Sequence, residues 1–147
     1  MKLSTRVLLL LSLSASSAFA ESVKTMDKGA YIDFNNERAG YRLTYFCRSG
    51  HKTLELKTNQ KIGFDRQDAV LTYMTNGNAQ QSASGFAKNT STIMHSKSNG
   101  MNDLIAAMTS SSALSIEAKS RRSTGLLSFN TADAGKHISE VNKIGGC

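Results

Sequence analysis

The sequence predicts a mainly β (α+β) domain: an antiparallel β-sandwich or barrel-like sheet with one internal helix and a C-terminal helix. Three observations lead there. Short runs alternating apolar and polar residues recur at roughly ten-residue spacing. Gly50 and Asn76-Gly77 punctuate them at hairpin positions. Only two stretches, one after Gly100 and one after Asp133, switch to the helical period.

Glu21 to Lys28 is polar and reads as a loose lead-in, and Ala30 to Phe34 as a first short strand. In Tyr41 to Cys47, Tyr41, Leu43, Tyr45 and Cys47 share one face while Arg42 and Thr44 take the other. Arg48 to His51 turns the chain, and Thr53 to Lys57 returns with Leu54 and Leu56 on one face, completing a hairpin. Lys61 to Phe64 is a short apolar piece closed by the polar turn Asp65-Arg66-Gln67-Asp68. Ala69 to Met74 is a strand, Gln80 to Phe86 its more polar return, and Thr90 to His95 follows with Ile93 and Met94 available for burial. Met101, Leu104, Ile105 and Met108 then stand at i, i+3, i+4 and i+7, which makes a helix that the serines 110–112 end. Ala113 to Ala118 returns to strand alternation through Leu114 and Ile116, and after the basic turn Arg121 to Gly125 comes a strand from Leu126 to Phe129. Thr131 or Asp133 caps a last helix whose Ala134, Ile138 and Val141 face one way, and Gly145-Gly146 end it.

The first twenty residues have a different character. Lys2 and Arg6 precede an apolar run from Val7 to Leu13, and the segment closes on Ala18-Phe19-Ala20. Basic, apolar and small-residue regions in that order are a secretory signal peptide, cut before Glu21. Residues 21–147 then form a single β-rich domain of about 127 residues in the periplasm, not an integral membrane protein, because the apolar run is too short to span a bilayer. Losing Lys2 and Arg6 lowers the net charge from +7 to +5. Such a surface suits an anionic partner or simple solubility. The basic residues are dispersed, with Arg121-Arg122 the one adjacent pair, so nucleic-acid binding is disfavoured.

Two cysteines, Cys47 and Cys147, remain in a chain bound for an oxidising compartment, and an even count there argues for one disulfide. Closing a loop of about 100 residues constrains the unfolded chain by about 4–5 kcal/mol in the chain-entropy model. An intermolecular bridge and two free thiols are the alternatives.

The order of elements also resembles a known family. A Cys ends one strand, a Leu-x-Leu strand and a hairpin follow, then helix, strand, strand, helix and a terminal Cys. The pieces Leu43 to Cys47, Thr53 to Leu56, Val70 to Tyr73, Asp103 to Ala107, Ala113 to Ile116, Leu127 to Phe129 and Ala134 to Cys147 resemble the VasI/TagO-like family of small exported proteins associated with type VI secretion. Tryptophans that such proteins carry in the first strand and before the last Cys are absent here, and Gly145-Gly146 precede Cys147 instead. The ending is also similar to that of invasion-associated locus B proteins. The resemblance implies an accessory protein whose partner is an envelope or secretion-system protein.

No constellation for catalysis stands out. His51, His95 and His137 are scattered singly, without the short spacing a zinc site needs, so neither metal nor cofactor is expected. Ser49-Gly-His-Lys52 matches S-x-x-K, but it falls in a hairpin turn and its companion motifs are missing. Asp65 and Asp68 flank a turn, which is ordinary turn chemistry. Binding is the better prospect: Tyr41, Tyr45 and Tyr73 with Arg42, Arg48 and Arg66 lie on or beside the hairpins, and Tyr and Arg make good contact anchors. The same tyrosines also suit the core or its edge. The expectation is therefore a non-enzymatic, exported accessory or binding protein of the bacterial envelope. The alternative is a periplasmic inhibitor or immunity protein, of the kind a prophage encodes, that blocks an effector or envelope enzyme. An envelope hydrolase is the least supported. Expressed with its leader, the chain should be recovered with Glu21 at its N-terminus; mass analysis that finds Met1 retained on the exported product contradicts this.

Overall fold

A computed structural model describes residues 22–36 and 40–147; the expected signal peptide lies outside them. Nine strands and two helices follow in the order β1 (Lys24–Met26), β2 (Gly29–Asn35), β3 (Arg42–Arg48), β4 (His51–Lys57), β5 (Asp68–Thr75), β6 (Gln81–Lys88), β7 (Ser91–His95), α1 (Met101–Ser110), β8 (Ala113–Lys119), β9 (Leu127–Asn130) and α2 (Ala134–Gly145). The strands make one sheet in the order β1-β2-β3-β4-β7-β6-β5-β8-β9, and every neighbouring pair is antiparallel. The mainly β class and both helices are as the sequence predicts. The sheet is single rather than two facing layers, and it curls without closing. At its ends the Asn36 Nδ2 donates to the Ser128 carbonyl over 2.6 Å, but no ladder joins β2 to β9.

Alternation decides which face is buried. Ile32, Tyr45, Leu54 and Met94 stand in one cross-strand row on the inner face, and Ala83, Leu71 and Ala118 stand in another. All are at most 4% exposed. Both helices pack on this face. Met101, Leu104 and Met108 of α1 and Ala134, Ile138 and Val141 of α2 complete the core, at the helical spacing read from the sequence. Gly100 starts α1 at φ 78°, where a Cβ would also lie 2.9 Å from the Ser82 carbonyl oxygen, so glycine is demanded twice over.

Three local expectations change. The polar lead-in contains β1, whose three residues show no alternation because they are too few; the Asp27-Lys28 turn pairs Met26 with Gly29. Lys61 to Phe64 is a loop that buries Ile62 and exposes Phe64, and it joins β6 through the bond from the Arg66 N–H to the Ala87 carbonyl, 2.7 Å. Asp133 occupies the position before α2 but makes no side-chain cap, while the Thr131 hydroxyl donates instead to the Ser111 carbonyl at the end of α1.

The C-terminal end of α2 is fastened to the β3–β4 hairpin by three bonds. The Tyr45 hydroxyl donates to Asn142 Oδ1 over 2.6 Å, the Gly50 N–H to the Gly145 carbonyl over 2.9 Å, and Cys47 is bridged to Cys147 with their Cα atoms 6.0 Å apart. A Cβ on Gly145 would lie 2.3 Å from the Cys47 carbonyl oxygen and 2.4 Å from its sulfur. The two glycines before Cys147 are thus what allows the approach: Gly145 by its bareness, Gly146 by closing α2 at φ 78° with its N–H on the Asn142 carbonyl. Cys147→Ser should lower stability by about 2–5 kcal/mol, and a reducing agent should reproduce the loss in the unmutated chain. Gly145→Ala should also destabilise with the bridge intact. An unchanged denaturation midpoint for Cys147→Ser would contradict the assignment.

Candidate functional site

The outer face of a sheet covered on one side only is ordinarily polar. On β5 and β8 Asp68, Thr72, Ser115, Glu117 and Lys119 point outward, with Val70, Met74 and Ala113 the apolar exceptions. On β3, β4, β7 and β6 three large apolar side chains, Phe46, Ile93 and Phe86, stand together among polar ones. One outward row there reads Phe46, Thr53, His95, and the next reads Glu55, Ile93, Phe86. Phe46 stacks on Tyr31 with centroids 5.6 Å apart, and Phe86 on His95 at 5.2 Å. Ile93 is only 9% exposed although no helix covers it, because its neighbours on this face enclose it.

These residues floor an open groove of about 960 Å³. Met26, Arg48, Ser49 and His51, from two hairpin tips, wall one end. Lys88, together with Asp65 and Arg66 of the loop before β5, walls the other. That loop is held to the end of β6: the Ala87 N–H donates to the Gln67 carbonyl over 2.8 Å, and the Asn89 N–H to Asp65 Oδ1 over 2.8 Å. Ser49 and Arg66 hold φ of 49° and 66°, a left-handed backbone that non-glycine residues seldom adopt. Such strained positions gather at functional sites.

Charges around the groove are unequally satisfied. Asp65 lies 4.0 Å from the Lys61 ammonium, Glu55 accepts the Ser91 hydroxyl, and Arg48 reaches Asp27 at 3.3 Å. Arg66 and Lys88 are exposed, and among the described residues neither is ion-paired.

A second polar cluster lies beside the groove on β1, β2 and β3. Buried Asp33 accepts from the Thr44 hydroxyl over 2.6 Å and from the Lys24 ammonium over 3.0 Å, with the Arg42 guanidinium 3.4 Å away. The hydrogen bond to Asp33, and then its charge, raises the Lys24 ammonium above its ordinary value. Each partner is accounted for, so this cluster is a clasp between strands. A smaller groove of about 770 Å³ runs along β9 beside Asn35 and Asn36 and is lined by polar residues around Leu126 and Phe129. Among the described residues no three His, Cys, Asp or Glu side chains gather as a metal site.

Of the six residues the sequence nominates for binding, the structure brings Arg48 and Arg66 to the main groove. Arg42 is exposed but committed to Asp33, and Tyr41 packs half-buried against the core. Tyr45 and Tyr73 are inner-face residues, 0% and 2% exposed, with their hydroxyls on Asn142 and Gln81. They belong to the core, the other reading their positions allow, and offer no binding face. Sequence reasoning passed over Phe46, Phe86, Ile93 and Met26. Phe46 did carry a signal: it is a large apolar residue at the polar phase of an otherwise clean alternation. His51 and His95, which the sequence offers only as scattered single histidines, are exposed at the groove.

No family model, curated protein or solved structure matches this chain.

Burial pushes the Tyr45 phenol up to about 12, partly offset by its bond to Asn142, and burial raises Tyr73 as well. Each folded phenol therefore keeps its proton where the unfolded one has lost it. The associated stability is whole below about pH 10 and is lost as pH climbs toward about 12. Lys24 acts in the same direction, so Tyr45→Phe is the control that isolates the phenol. Denaturant midpoints should fall across this window and fall less in Tyr45→Phe; equal slopes for the two proteins would contradict the reading.

Proposed function

We propose that this chain is an exported, non-enzymatic binding protein of the bacterial envelope, which docks a partner protein in the groove on the outer face of β3, β4, β7 and β6. One observation carries the reading: an aromatic and aliphatic floor lies on the uncovered side of the sheet, bordered by charged residues. An apolar patch with a polar rim is the ordinary anatomy of a protein interface. The intramolecular disulfide is compatible with an oxidising compartment, and no helix among the described residues is long and apolar enough to cross a membrane. With the resemblance to VasI/TagO-like proteins, the partner is a component of a type VI secretion apparatus or of the envelope around it.

The inhibitor or immunity reading is favoured by a different observation. The β3–β4 tip, which walls one end of the groove, is pinned from behind by the bridge and by the Gly50–Gly145 bond. A projection ordered before binding loses little entropy on association, which suits tight blocking of an enzyme. Both readings use the same groove, and the identity of the partner separates them. A photoreactive phenylalanine analogue replacing Phe46 should cross-link one envelope protein in the native cell, and the same analogue replacing Val70 should not. A secretion-apparatus component supports the first reading and an effector or envelope enzyme the second; equal labelling from both positions, or none from Phe46, overturns the groove as the docking surface.

A further inference from the structure

The groove's charges say what kind of segment it receives. Asp65 has the Lys61 ammonium at 4.0 Å and the Asn89 N–H, and Glu55 accepts the Ser91 hydroxyl but keeps its charge, whereas Arg66 and Lys88, two cations against that one carboxylate, have no ionic partner among the described residues. Lys88 lies two residues beyond Phe86 on the same face of β6, about 7 Å along the strand. The Arg66 N–H is tied to the carbonyl of Ala87, between those two residues. Two unpaired cations therefore flank one end of an apolar floor.

Resting on the reading of this groove as the docking surface, we propose that its occupant is an acidic, aromatic-bearing protein segment. The aromatic ring lies on Phe46, Ile93 and Phe86, and a neighbouring carboxylate takes Arg66 and Lys88. The ring supplies most of the contact area, since an aromatic side chain buries a large apolar surface and packs well edge-on or offset against phenyl rings. The charges supply orientation and selection: a basic segment would meet two uncompensated cations, a like-charge juxtaposition that suppresses wrong partners. Arginine adds geometry, because its planar fork binds a carboxylate through two parallel bonds. Arg66 keeps a left-handed backbone that asparagine or glycine would adopt with less strain, so its side chain is held at this rim despite a conformational cost.

The test uses the mature chain labelled for amide shift mapping and three short capped peptides: Asp-Phe-Glu, Lys-Phe-Lys and Asp-Ala-Glu. Asp-Phe-Glu should shift the amides around Phe46, Phe86, Ile93 and Arg66 and bind roughly tenfold tighter than either other peptide. The charge-reversed Arg66→Glu/Lys88→Glu variant should invert the preference toward Lys-Phe-Lys. Both residues are exposed and the Arg66 backbone bond survives the change, so the variant should melt like the parent; Lys88→Glu alone, with half the effect, is the second variant should it not. Equal binding of the three peptides in the groove, or no groove shifts while Phe46 still cross-links its partner, overturns the proposed chemistry and leaves the docking surface standing. Binding to phosphatidylglycerol vesicles that depends on Arg66 and Lys88, without peptide binding, assigns these cations to a lipid surface and also overturns it.

Discussion

The attachment of α2 to the back of the β3–β4 hairpin is the constraint on which the rest depends. Tyr45, Cys47 and Gly50 hold Asn142, Cys147 and Gly145 from the inner side, while Phe46, Arg48, Ser49 and His51 face the groove from the outer side of the same hairpin. Because strand residues alternate between faces, fixing the inner set fixes the outer set with it. Core and candidate site are thus two sides of one seven-residue strand.

Gly29 extends this coupling to the neighbouring strand. A Cβ there would lie 2.2 Å from the Cys47 carbonyl oxygen, so β2 begins with a residue bare enough to meet the most crowded part of β3. Met26, at the other end of that tight turn, is thereby brought to the groove wall. A curled sheet, not a flat one, lets both helices find cover on its inner face while leaving the other face open across four strands.

The fold was largely legible because its inner face follows rules that a sequence displays. Leu43, Tyr45, Leu54, Leu56, Leu71 and Tyr73 alternate with polar residues, Met101 to Met108 shows the helical period, and an even cysteine count in a chain expected to be exported pointed to the bridge. What was not legible depends on pairing. The strand order β4-β7-β6-β5 sets Phe46, Ile93 and Phe86 side by side, and residues so distant in sequence give no sign of being neighbours. The tyrosines misled for a related reason: Tyr is equally at home as an anchor or with its ring buried and its hydroxyl satisfied, and only Asn142 and Gln81, far along the chain or across a turn, decide between them.

The strand order has a kinetic consequence. Strands β1 to β4 form one meander of local hairpins and β5 to β7 another, and among the described residues only the β4–β7 ladder joins these two directly, with pairs such as Leu56 and Thr92 far apart in sequence. Local pairing is fast and distant pairing slow, so this seam closes late. The groove floor straddles it, with Phe46 and Thr53 from one meander and Ile93, His95 and Phe86 from the other. Neither half contains the site. A ligand of this groove therefore recognises only chains in which the β4–β7 ladder has formed, and a half-assembled molecule is invisible to it.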